Sequence, residues 1–236
     1  MLALLKRLVR RAPVPALTNR DFVTRLYRAH GQGLREVLAR VHAHNVGTQA
    51  RLGLSGGSTG DADCGLLHLL VKAFQPQHIF EVGTYVGTST LAMALAARSY
   101  GGKVTTCDPE DRQAIPDDQC DVIRFIHAAA LAALADLRAR GESIDLVFAD
   151  WTLGREAIEM LNEMGTPKLI FTAHDYVLPR DKGVINKEEM SRYYRRAREC
   201  TWILPDAQPI LVEPGLALQQ ATAMLVPRPL LVAYTM

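Results

Sequence analysis

The chain lacks paired cysteines: Cys64, Cys107, Cys120 and Cys200 are scattered without a CxxC pair. Neither a zinc knuckle nor a disulfide framework is suggested, and a reducing cytoplasm fits best. Strong charge is missing too, since the formal net charge is +2. No whole-molecule field therefore points to nucleic acid as the main partner. The opening apolar run MLALL is too short for a secretory core, and the segment around it carries Lys6, Arg7, Arg10, Arg11 and Arg20 without an acid. This start reads as a solvated helix that packs on a sister subunit, giving a homo-oligomer through the N-terminal helices, rather than as a membrane or transit segment. There is no internal repeat and no low-complexity segment.

What is present is the composition of an ordinary globular chain, with 48% hydrophobic and 22% charged residues among 236. Phe22, Leu26, His30, Leu34, Val37, Leu38 and Val41 have helical spacing and predict an N-terminal helical extension over residues 1–55. A polar, glycine-rich stretch, LGLSGGSTGDADCG, follows as a candidate lid, and CGLLHLLVKAF then makes a buried helix that stops before Pro76. From there the short apolar runs HIFEV, KVTTC, VIRFI, DLVFA and KLIFT alternate with helical patterns or connections. That alternation predicts an α/β domain over residues 56–236, a Rossmann-like doubly wound and mostly parallel sheet. The last apolar runs are split by glycine and proline and read as a terminal strand pair with an antiparallel member. YVLPRDKGVINKEEMSRYYRRAREC is expected to hold a mobile loop at Lys182 and Gly183, then a helix carrying Arg192, Arg195, Arg196 and Arg198 as a solvated face.

In IFEVGTYVGTSTLAMALA a strand ends in Glu81, turns through Gly83 and Gly87, and enters a helix whose first turn holds Thr88, Ser89 and Thr90. Glycine lets a ligand approach the backbone, and the free N–H groups of the helix start point at whatever binds there. The spacing ExGxxxG departs from the GxGxxG of nicotinamide enzymes, which weakens an oxidoreductase reading. An acid at that strand end repels a pyrophosphate but accepts from the ammonium group of an amino-acid moiety, directly or through water. S-adenosylmethionine has such a group. Asp108, at the end of the next strand, is placed to take both ribose hydroxyls of an adenosine, or else simply caps the turn DPED.

The string EVGTYVGTSTLAMALA resembles the first motif of class I S-adenosylmethionine-dependent methyltransferases. The likeness is to small-molecule O-methyltransferases of the catechol and caffeoyl-CoA type and to a family that includes sugar-tailoring enzymes of macrolide pathways. It extends over about residues 55 to 180 and is dense only in that motif. The resemblance implies a reversed last strand, Glu81 near the methionine end, Asp108 on the ribose, and His127, Ala128 and Ala129 beside the adenine. Glu81, Gly83, Thr84, Tyr85, Gly87, Ser89, Asp108, Ala128, Ala129 and Asp150 form the expected cofactor-binding set.

IDLVFAD puts Asp150 at the carboxyl end of the fourth strand, beside Trp151, and KLIFTAHDYV brings His174 and Asp175 to the same edge. Two such carboxylates can coordinate a hard cation such as Mg²⁺, which lowers the pKa of a substrate hydroxyl. Asp150, Asp175 and His174 are thus both the candidate catalytic residues and the candidate metal ligands. His174 serves either as general base or as third ligand, since one nitrogen cannot do both. The resemblance implies the same metal arrangement. Catechol-type relatives, however, have Asp then Asn at the second position and a lysine after the first acid, where this chain has Trp151, Thr152 and Leu153. The expected function is methyl transfer to a hydroxyl of a small molecule, a sugar or phenolic compound. The alternative is a regulatory S-adenosylmethionine-binding module without turnover.

Overall fold

A computed structural model describes residues 17–112, 115, 121–174, 190, 192–219 and 221–234. Helix α1 (Asn19–His30) starts at Thr18, whose hydroxyl accepts from the Asp21 N–H at 3.1 Å, and it ends at Gly31. Gly33, at φ +77°, then opens α2 (Leu34–Leu52), so the continuous apolar series of the sequence is two helices with a glycine break. α3 (Asp61–Phe74) stops at Gln75, just before Pro76, as expected.

Five parallel strands follow: β1 (His78–Val82), β2 (Lys103–Cys107), β3 (Ile123–Ile126), β4 (Ile144–Ala149) and β5 (Gly165–Ala173). Between them lie α4 (Thr88–Ala97), α5 (Ala130–Ala139) and α6 (Arg155–Met164). The chain continues through β6 (Cys200–Ile203), a hairpin of β7 (Ile210–Glu213) with β8 (Leu216–Leu218), and β9 (Ala223–Pro227). The sheet order is β3-β2-β1-β4-β5-β9-β6, with β9 antiparallel to both of its neighbours. The reversed strand is therefore inserted next to the edge, with β6 outside it. This is the Rossmann-like, mostly parallel sheet that the sequence predicts.

Strand residues alternate between two cores, as a pleated strand requires. Ile79, Leu146 and Phe148 join Phe22, Leu26, Leu38, Val41, Leu66, Leu70 and Leu91 on one face. Phe80, Val82, Val147 and Ala149 join Leu134, Leu137, Ile158 and Leu161 on the other. The N-terminal helices thus share a core with the sheet from residue 22 onward. The basic segment 1–16 and the loop with Lys182 and Gly183 lie outside the described residues. Arg192, Arg195, Arg196 and Arg198 do not share a continuous helix: a turn at Tyr194–Arg196 interrupts it, and Arg196 pairs with Glu199. Among the described residues no helix is long and apolar enough to cross a membrane.

Candidate active site

The register sets the site. Val82 lies level with Cys107 and Ala149, and Ala149 with Ala173, so four strands end on one line. The next residues are Gly83, Asp108, Asp150 and His174, and each is tied by its N–H to the adjacent strand. Gly83 donates to Cys107 at 2.9 Å, Asp150 to Val82 at 2.8 Å, His174 to Ala149 at 2.9 Å and Asp108 to Ile126 at 3.3 Å. Ligands of open α/β sheets collect at this carboxyl edge.

Gly83 (φ +94°) has no room for a side chain: a Cβ there would stand 3.3 Å from the carbonyl carbon and oxygen of Asp150. Gly87 (φ +84°) heads α4, whose first N–H groups carry no side-chain cap. Thr88 Oγ1 in that turn is buried and has no hydrogen-bond partner among the described residues. An orphaned hydroxyl beside free helix N–H groups suits the carboxylate of an amino-acid moiety.

Glu81 sits underneath, with no exposed surface. Its carboxylate accepts from Ser89 Oγ at 2.6 Å and from the Thr90 hydroxyl. Burial raises its pKa to about 7, against the lowering effect of the Ser89, Thr90 and Thr106 hydroxyls. Glu81 therefore holds the start of α4 in place, and a ligand ammonium reaches it only by displacing one of those hydroxyls. Thr84 bonds Thr106 at 2.6 Å between the two strand ends.

Asp108 Oδ2 accepts from the Tyr85 N–H at 2.9 Å, and Oδ1 from the Glu110 N–H at 2.9 Å. It both caps its own turn and braces the glycine turn, and each oxygen retains a lone pair for a ribose hydroxyl. Asp108 and Thr84 line a small cavity with Phe125, Ile126 and His127. Ala129 instead lines an open cleft of about 470 Å³ with Thr152, Gly154, Arg155 and Glu156. The Ala128 N–H is bonded to the Ile126 carbonyl. Trp151, beside Asp150, is 67% exposed.

The glycine-rich stretch expected as a lid does lie over the turn. Tyr85, at φ +48°, donates its hydroxyl to the Gly56 carbonyl at 3.0 Å, and Thr59 Oγ1 donates to Asp150 Oδ2 at 2.8 Å. The cavity beneath, between Gly57 and Ser89, is only about 10 Å³. His44 on α2 reaches the same turn and donates from Nε2 to the Val86 carbonyl at 2.8 Å.

Asp150 and His174 meet as expected: Nδ1 of His174 is 2.9 Å from Asp150 Oδ1. Asp63, which sequence reasoning missed, stands on the other side, with its Oδ2 3.6 Å from His174 Nε2. Burial works against a charged ring, but Asp150 and Asp63 outweigh it and raise the His174 pKa to about 10. His174 is therefore an imidazolium at neutral pH. A ring protonated on both nitrogens has no lone pair, whereas a general base and a metal ligand each need one. Asp150 has one oxygen on His174 and the other on Thr59, and Asp175 lies outside the described residues. Among the described residues no group of three or more His, Cys, Asp or Glu side chains is placed to hold a metal ion. Asp63 and Thr59 were hidden in the sequence because an acid and a threonine around a helix start ordinarily read as capping residues.

The family described as a methyltransferase domain matches residues 80–175. No curated protein matches the chain. Solved structures do. An O-methyltransferase from Bacillus cereus in complex with S-adenosylhomocysteine is 17% identical, with 81% of this chain and 90% of that one covered at a TM-score of 0.56. The O-methyltransferase TomG from Streptomyces achromogenes, involved in tomaymycin synthesis and in complex with S-adenosylmethionine, is 18% identical over 81% and 90%, with a TM-score of 0.57. A protein from Klebsiella pneumoniae, provisionally assigned as an O-methyltransferase, is 16% identical over 96% and 94%, with a TM-score of 0.55. Residues 80–175 thus resemble a methyltransferase domain, and the sheet around them has the fold of these proteins.

Proposed function

We propose that the chain transfers a methyl group from S-adenosylmethionine to a hydroxyl oxygen of a small molecule. One observation carries this reading: the glycine turn, Asp108 and the Asp150–His174 pair occupy consecutive strand ends on one line, so a methyl donor and an acceptor share one edge. The S-adenosylmethionine and S-adenosylhomocysteine bound by the structural neighbours support the choice of donor.

The donor supplies a methyl group on a cationic sulfur. The α4 N–H groups and Thr88 bind its carboxylate end, and Asp108 accepts from its ribose hydroxyls. Asp150 takes the acceptor's proton as the C–O bond forms and the C–S bond breaks, while the His174 imidazolium fixes one carboxylate oxygen. Residues 53–60 close over the pair and exclude water.

The same imidazolium supports the second reading, a module that binds the cofactor without turnover, because the edge then lacks a neutral base. Incubation with methyl-labelled S-adenosylmethionine and a panel of sugars and phenols, with and without chelator, separates the two. Label transfer that survives the chelator supports the proposal; cofactor binding with no transfer to any compound favours the module.

A further inference from the structure

We propose that Asp63 is a positioning residue for the acceptor side of the site: anchored at the entry to β9, it holds His174 by Nε2 and so presents Nδ1 to Asp150. The role of this array in turnover rests on the methyl-transfer reading above; the array itself does not.

Asp63 is 1% exposed, and a carboxylate so placed is costly unless each oxygen is partnered. The Ala221 N–H donates to its two oxygens at 3.2 and 3.0 Å, and the Thr222 N–H to Oδ1 at 3.0 Å. Those backbone bonds fix the carboxylate on the turn before β9, and Oδ2 then faces His174. Burial disfavours the charge, but His174, Thr222 and Ala221 together hold the carboxyl below its usual pKa.

Thr59, on the same short segment, holds Asp150 Oδ2. Residues 59–63 thus touch both members of the Asp150–His174 pair, one from each end. A carboxylate oxygen within ion-pair reach of each ring nitrogen, 2.9 Å at Nδ1 and 3.6 Å at Nε2, favours a proton on both. The surrounding field is acidic: Asp61 and Asp63 from α3, Glu81 from β1 and Asp150 after β4 all push the buried Cys64 thiol up, after burial itself. A role confined to tying down β9 needs only the backbone bonds. It does not require an oxygen aimed at His174.

The test is nitrogen NMR of ¹⁵N-histidine-labelled full chain near neutral pH, with His174 assigned by loss of its signals in His174→Gln. Calorimetry with S-adenosylhomocysteine runs alongside. The wild type is expected to show both His174 nitrogens in the imidazolium range. In Asp63→Asn the Nε2 resonance is expected to shift downfield as it loses its proton, while Nδ1 keeps its proton towards Asp150, and Asp63→Glu should restore the wild-type pattern. An Asp63→Asn spectrum identical to wild type overturns the proposal. Should that variant not fold, a wild-type Nε2 outside the imidazolium range overturns it alone. Wild-type protein that binds no S-adenosylhomocysteine counts against the methyl-transfer reading and leaves this one standing.

Discussion

Gly83 and Asp150 are in contact across two strand ends, close enough that a Cβ on Gly83 would press on the Asp150 carbonyl at 3.3 Å. The contact joins the cofactor turn to the acid on the acceptor side. Gly83→Ala adds both that crowding and a φ of +94° that alanine rarely adopts. It is expected to cost on the order of 1–3 kcal/mol of stability, together with S-adenosylhomocysteine affinity. Urea denaturation and calorimetry check both, and wild-type stability and affinity in the Gly83→Ala variant would refute the placement of the turn.

Asp108→Ala removes two kinds of interaction. Loss of charge-assisted bonds to ribose is expected to weaken cofactor binding by about 1.5–3 kcal/mol. Loss of the Tyr85 and Glu110 N–H partners also loosens the glycine turn, so stability should fall slightly too. A titration with unchanged affinity would remove Asp108 from the site.

The strands HIFEV and KVTTC were legible because each is an apolar run with its own stops, although β1 runs one residue past Glu81, to Val82. Asp108, Asp150 and His174 were legible because each polar residue ends such a run. What depended on long-range pairing was not. β9 inserts between β5 and β6 by antiparallel register, and nothing local to AMLVP states which neighbours it takes. The glycine break at Gly31 and Gly33 was masked by apolar spacing that continues across it. Asp63 is the sharpest case. Its partners, His174 and the Ala221–Thr222 turn, come from segments that only the folded sheet brings together.

Glu81 makes a pH prediction. Burial lifts its pKa from 4.5 to about 7, so the folded state favours the protonated form. The resulting stability is present below pH 4.5 and is lost as pH rises to about 7. For a fully buried group the change is on the order of 3 kcal/mol. Glu81→Gln keeps a neutral side chain throughout and should flatten this decline. Parallel slopes for wild type and variant across that window would contradict the shift.

His174 should show a decline at higher pH. Burial alone would lower its pKa, but Asp150 and Asp63 raise it from 6.5 to about 10. A raised histidine pKa adds stability that is complete below pH 6.5, where folded and unfolded rings are both charged, and that is lost as pH rises through about 10. His174→Gln removes the cation and leaves Asp63 and Asp150 facing a neutral group. It should therefore be markedly less stable than wild type near pH 6, with the difference shrinking as the wild type loses its ring proton in alkali. Denaturation midpoints of the two proteins from about pH 6 upward decide the matter. A constant difference across that range would mean that His174 is neutral throughout, and would restore it as the candidate general base.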